Sequence, residues 1–135
     1  MAILFVLFAL LFGAFGLSTF GSGESAIGSD VAAAVPAWAQ RQGLTGNAQY
    51  VAGANLFAAS GCTNCHTYLG TGSSNLGAPD LSTEGTKGHS VSYLVREMRC
   101  PSCVKHGSSM PSFAALGSKN LRLLAQFLAA SKRGG

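Results

Sequence analysis

Cys62-Thr63-Asn64-Cys65-His66 constrains this chain more than any other stretch. Two thiols at this spacing can each form a thioether to one edge of the same planar macrocycle. The residue that follows then aims its imidazole at the macrocycle's centre from one face. C-x-x-C-H is the spacing of c-type haem attachment, which here implies one covalent haem c. Two other uses of the thiols stay open. A thioredoxin-like redox pair needs a β-α-β setting, and the chain shows no alternating strand pattern. A zinc site needs two further ligands at a matching spacing, which Cys100 and Cys103 could supply.

A chain of 135 residues allows one small domain with accessories. Its 18 glycines predict many loops and little sheet. Nine Lys and Arg against five Asp and Glu give a net charge of +4. That balance is too weak and dispersed for nucleic-acid binding. It suits docking to an acidic protein surface or a place near anionic lipid. No nucleophile–base set and no phosphate loop occur, which argues against an independent enzyme.

Ala2 to Phe20 is an uncharged apolar run, AILFVLFALLFGAFGLSTF. At about 1.5 Å per helical residue it reaches the hydrocarbon thickness of a bilayer. It lacks the positive n-region of an ordinary signal peptide, and the small-x-small step Ala37-Trp38-Ala39 lies too far beyond it for usual processing. The reading is a retained transmembrane anchor over residues 1–20, with a cleaved signal peptide as the alternative. Residues 21–46 open with GSGESAIGSD and read as a flexible linker. Within it, Trp38 reads as an interface or membrane-surface anchor.

Residues 47–135 form the expected domain. Asn47 to Ser60 predicts a helix capped by Asn47 and stopped by Gly61. Thr67 to His89 reads as loop. Val91 to Arg99 predicts a second helix with Ser90 as its cap, and Cys100 to Ser112 a second loop. The third helix runs from Ser118 or Lys119 to Ser131, with Leu121, Leu124, Ala125 and Leu128 on its inward face and Phe127 beside them. Met110 lies in the loop Ser108-Ser109-Met110-Pro111-Ser112-Phe113. A lone methionine is usually core filler. A Gly/Ser-rich loop before a proline is a poor place for filler and a good one for an iron ligand. Its thioether would raise the reduction potential by stabilising ferrous iron. His106 is its rival for that position. His89 reads as a surface loop residue and Met98 as helix core.

From Asn47 to about Lys132 the chain resembles the class I cytochrome c family. The resemblance rests on the attachment motif after a short helix, the M-P-x-F stretch and the closing helix, in that order. It implies an all-α fold: a small cytochrome c-like domain of three to four helices around one haem, here preceded by one N-terminal transmembrane helix. It implies Cys62, Cys65 and His66 as haem-binding residues and Met110 as distal ligand, with His66 and Met110 holding the iron. Gly77-Ala78-Pro79-Asp80-Leu81 is similar to the family's G-P-x-L element, with Ala78 where Gly is usual. By that likeness the Pro79 carbonyl accepts the His66 Nδ1–H bond. Gly53, Phe57 and Phe127 look like the family's helix-crossing contact.

Haem attachment in this family takes place outside the cytoplasm, where free thiols are uncommon. That setting makes Cys100 and Cys103 a candidate disulfide bracing the segment before Met110. A transmembrane helix ahead of such a domain is similar to cytochrome subunits of quinol-oxidising and oxygen- or nitric-oxide-reducing complexes. The implied protein is a single-pass, membrane-anchored electron carrier with its haem domain on the extracytoplasmic side, serving a respiratory or photosynthetic complex. Lys87, Arg96, Arg99, Lys105 and Lys119 either form a docking patch for an acidic redox partner or are plain solvated surface. Two rival functions remain: a haem-based gas sensor with a labile sixth ligand, and a structural subunit with a redox-active Cys100/Cys103 pair.

Overall fold

The computed structural model describes residues 26–134. Six α-helical segments and one small sheet occur among the described residues. Helix α1 is Ala26–Ala33 and α2 is Val35–Gln42; Pro36 sits in the first turn of α2, where a missing N–H costs nothing. Gly43, at φ 72°, ends α2. Helix α3 spans Ala48–Ala59, and the Asn47 side chain accepts the Tyr50 N–H at its start. Helix α4, Val91–Arg99, is capped in the same way by Ser90. The short α5 is Pro101–Val104, and α6 is Gly117–Ala130.

Strands β1 (Thr67–Tyr68) and β2 (Thr71–Gly72) pair antiparallel, Thr67 opposite Gly72. Leu69 and Gly70 join them with φ 47° and 83°. Two consecutive positive φ angles are the signature of a type I′ hairpin turn, whose twist matches the strands. A leucine rarely takes such a conformation. Here both its backbone groups are held: its N–H donates to Ser82 Oγ at 2.7 Å, and Arg41 donates to its carbonyl at 2.9 Å.

The expected fold is corrected on two points. The domain is not all-α, because it carries the β1–β2 hairpin, and two further helices, α1 and α2, stand ahead of the four that fall within residues 47–135. And no helix among the described residues is long and apolar enough to cross a membrane; the run expected to do so, residues 1–20, lies outside them. The linker assigned to residues 21–46 also differs. Residues 26–42 are helical, and α2 packs into the core through Val35, Trp38 and Ala39. Trp38 is 1% exposed, so it is a core residue and not a surface anchor.

Helices α3 and α6 cross at the centre. A Cβ on Gly53 would run into the Leu123 carbonyl oxygen and the Phe127 Cβ, so only glycine allows this approach. Five aromatic rings fill the core around the crossing. Phe127 lies 4.8 Å from Tyr68, 5.0 Å from Tyr50 and 5.3 Å from Phe57, and Trp38 is 5.0 Å from Tyr68. Buried hydroxyls need partners. Ser131 donates to the Phe127 carbonyl at 2.8 Å, which leaves its oxygen to accept from Tyr68 at 2.6 Å. Tyr68 in turn accepts from Tyr50 at 2.8 Å. Burial pushes both phenols' pKa values up, so the chain of hydroxyls stays protonated.

Candidate functional site

The Cys62-Thr63-Asn64-Cys65-His66 pentapeptide begins where α3 stops. Gly61, at φ 74°, turns the chain into a short 3₁₀ segment, Cys62–Asn64. The His66 N–H then returns to the Cys62 carbonyl at 2.9 Å, closing the pentapeptide into a compact turn. The hairpin clamps it from behind. The Ser73 N–H reaches the Thr63 carbonyl at 2.9 Å, and a Cβ on Gly72 would strike the His66 carbonyl oxygen.

His66 Nδ1 lies 2.8 Å from the Pro79 carbonyl oxygen. A carbonyl only accepts, so Nδ1 carries the proton and Nε2 keeps its lone pair for a metal. Pro79 is itself fixed through its neighbour. Asp80 accepts from Thr67 Oγ1 at 2.7 Å and from the Ser82 N–H at 2.9 Å. Partial burial raises the Asp80 pKa, but those hydrogen bonds and the charge of Lys87 outweigh it and hold the carboxyl below its usual range.

A cavity of about 420 Å³ opens beside the turn. Cys62, Cys65, His66, Pro79 and Met110 all line it. Its remaining wall is largely apolar, with Phe57, Leu81, Leu94, Met98, Phe113 and Leu124 contributing. That size suits a large organic group, since such sites run to about 300–1,000 Å³. Met110 is carried there by a loop tied to α4. The Phe113 N–H donates to the Met98 carbonyl at 2.9 Å and Ser112 Oγ to the Arg99 carbonyl at 2.7 Å. His106, the rival ligand, is exposed and does not line the cavity.

Cys100 and Cys103 are joined in a disulfide across α5, so neither can serve as a zinc thiolate. Among the described residues no three His, Cys, Asp or Glu side chains converge as a metal site. Burial pushes the Cys62 thiol up to about 12, with a smaller upward push from Cys65. It is therefore a protonated thiol near neutral pH, ill suited to thiol exchange. A pair of unoxidised thiols, a tautomer-fixed imidazole and a thioether on one apolar cavity is a donor set that fits covalent haem.

The cavity also holds a group that sequence reasoning missed. Glu84, in the 3₁₀ segment Glu84–Thr86, is buried on its wall with Lys87 and His89 beside it. An acid, a lysine three residues on and a histidine five residues on, inside a loop otherwise free of charge from Leu81 to Ser90, was the available signal. No family model, no curated protein and no solved structure matches this chain.

Proposed function

We propose that the domain holds one haem through thioethers from Cys62 and Cys65, with His66 and Met110 as the residues that would hold its iron, and passes single electrons. The observation that carries this reading is the convergence of those four side chains on one apolar cavity, with His66 Nδ1 already committed to Pro79. When bound, the haem supplies an iron that takes up and returns one electron. The chain's own residues do the rest. His66 and Met110 would both be committed to the iron, which suits a carrier and not a substrate-binding centre. The Pro79 carbonyl fixes the imidazole's orientation and makes it a stronger ligand. Leu81, Leu94, Met98 and Leu124 line the site with apolar surface, and the thioether of Met110 would favour the ferrous state. The Cys100–Cys103 disulfide supports a location outside the cytoplasm. The partner is a redox protein of a quinol-oxidising, photosynthetic or terminal-oxidase system, and the domain acts as carrier and not as an independent enzyme.

Protein made together with haem-attachment machinery tests the reading. It should gain the mass of one haem, show a c-type reduced spectrum, and show a near-infrared methionine-to-ferric-iron band. Met110→Ala should abolish that band, lower the potential and let the ferrous form bind carbon monoxide. A native protein that already binds carbon monoxide would favour gas sensing. No covalent haem would sink the proposal.

A further inference from the structure

Glu84 is a carboxylate on the wall of the haem cavity with a side chain only 6% exposed. A buried charge must be paired. Lys87 Nζ lies 2.6 Å from Oε2 and His89 Nδ1 lies 2.8 Å from Oε1. The turn cannot swing outward, because the Gly85 N–H donates to the Ser131 carbonyl at 2.8 Å and the Ala129 carbonyl leaves no room for a Cβ at Gly85. His89 is held as firmly. Its ring stacks on Tyr93 with centroids 4.4 Å apart, and the Arg96 guanidinium covers that tyrosine at 5.7 Å.

Nδ1 of His89 is committed to Glu84, so Nε2 is the atom left to gain or lose a proton. The side chain is 36% exposed, which gives that atom a route to solvent. The charged groups that share this space are few. Lys87 comes from the same turn, and its charge also acts on Asp80; Glu97 of α4 and Lys105 after α5 line the same cavity; Arg96 of α4 lies over Tyr93; α6 offers only Leu124 and Leu128. Glu84 and Lys87 carry opposite charges, so a proton taken up at His89 Nε2 adds one positive charge to the cluster.

We propose that Glu84, Lys87 and His89 form a proton-binding site linked to reduction of the haem; the inference rests on the covalent-haem reading above. Reduction removes one unit of positive charge from the iron centre. Across the cavity, that would make a second cation easier to hold. One electron enters from a one-electron donor protein or an electrode, and one proton enters from solvent at His89 Nε2. Reoxidation releases both. No other bond is made or broken.

The test is the midpoint potential of haem-loaded protein from about pH 5 to 8, the interval in which histidines ordinarily titrate. Haem content is checked first by mass and spectrum. The native potential should fall as pH rises, with a slope of up to tenfold in the reduction equilibrium per pH unit, about 59 mV for one electron. His89→Gln keeps an amide donor for Glu84 and should flatten the curve. Glu84→Gln removes the anion that stabilises the imidazolium and should move the sloping interval to lower pH. A flat native curve overturns the proposal while leaving the haem assignment intact. A slope that survives His89→Gln also overturns it, placing the proton on Glu97 or a haem carboxylate. Absence of covalent haem removes this proposal together with the one it rests on.

Discussion

Tyr68 sits where three lines of support meet. It is wholly buried, it packs against Trp38, Phe57 and Phe127, and its hydroxyl is the middle member of the chain from Tyr50 to Ser131. Tyr68→Phe keeps the ring and removes only the oxygen. Tyr50 then loses its acceptor and Ser131 loses a donor, both inside the core. The expected cost is about 1–3 kcal/mol in urea denaturation, the range for leaving a buried polar group unmet. Tyr50→Phe, which removes the end of the chain, should cost less, because Tyr68 can still donate to Ser131. Equal costs would mean the hydroxyls do not act as a directed chain. Asp80 provides a pH-dependent case. Its carboxyl is held below its usual range, so it adds stability above about pH 4 and loses that contribution as pH falls through its folded value. Asp80→Asn should therefore be less stable than the native protein at neutral pH, and the two should converge under acid. A constant gap down to pH 2 would show that the hydrogen bonds matter and the charge does not.

Among the elements, the α3–α6 crossing has the least slack. Gly53→Ala places a methyl group against the backbone of α6, which cannot give way as a flexible side chain would. Overpacking of this kind costs about 1–3 kcal/mol. Thermal unfolding should show it directly, with α3 and α6 still melting together. A neutral or stabilising Gly53→Ala would show that the helices separate freely. This element scale also separates what the sequence could disclose from what it could not. The caps at Asn47 and Ser90 and the stop at Gly61 are local chemistry and were legible as such. The C-x-x-C-H spacing, which the structure folds into one compact turn on the cavity wall, was legible too. The β1–β2 hairpin was not. Its strands have two residues each, too few for alternation, and its turn is Leu69-Gly70, where Asn-Gly would be the usual signal. The Glu84 cluster was hidden for a different reason. Nothing in the chain marks which side of a polar loop faces inward, and Ser131 and Ala129, far along the sequence, set that direction.

For the molecule as a whole, the question is where the cooperative unit begins. A Gly/Ser-rich opening and Pro36 made residues 21–46 read as a spacer. Yet Val35, Trp38, Ala39 and Gln42 stand at 0, 3, 4 and 7, a helical face whose fourth member is polar. That glutamine explains why the face went unread and why it matters. Buried Gln42 donates to the Ser82 and Arg133 carbonyls and accepts the Lys132 and Arg133 N–H groups, at 2.9–3.0 Å. One side chain thereby joins α2, the loop below the hairpin and the C-terminal segment. Trp38 fills the centre of the aromatic cluster from the same helix and donates to Thr71 Oγ1. A spacer would tolerate truncation of that indole within about 0.5 kcal/mol. A core residue of this size should cost about 3–5 kcal/mol. Trp38→Ala measured by urea denaturation therefore separates the two cases. If α2 belongs to the unit, Gln42→Ala should also be destabilising, and the losses should show at both the hairpin and the C-terminal end in hydrogen exchange. Protection lost only within α2 would mean that it docks on a core already complete without it. The cavity beside Cys62 and His66 would then owe its shape to α3, α4, α6 and the loops that line it.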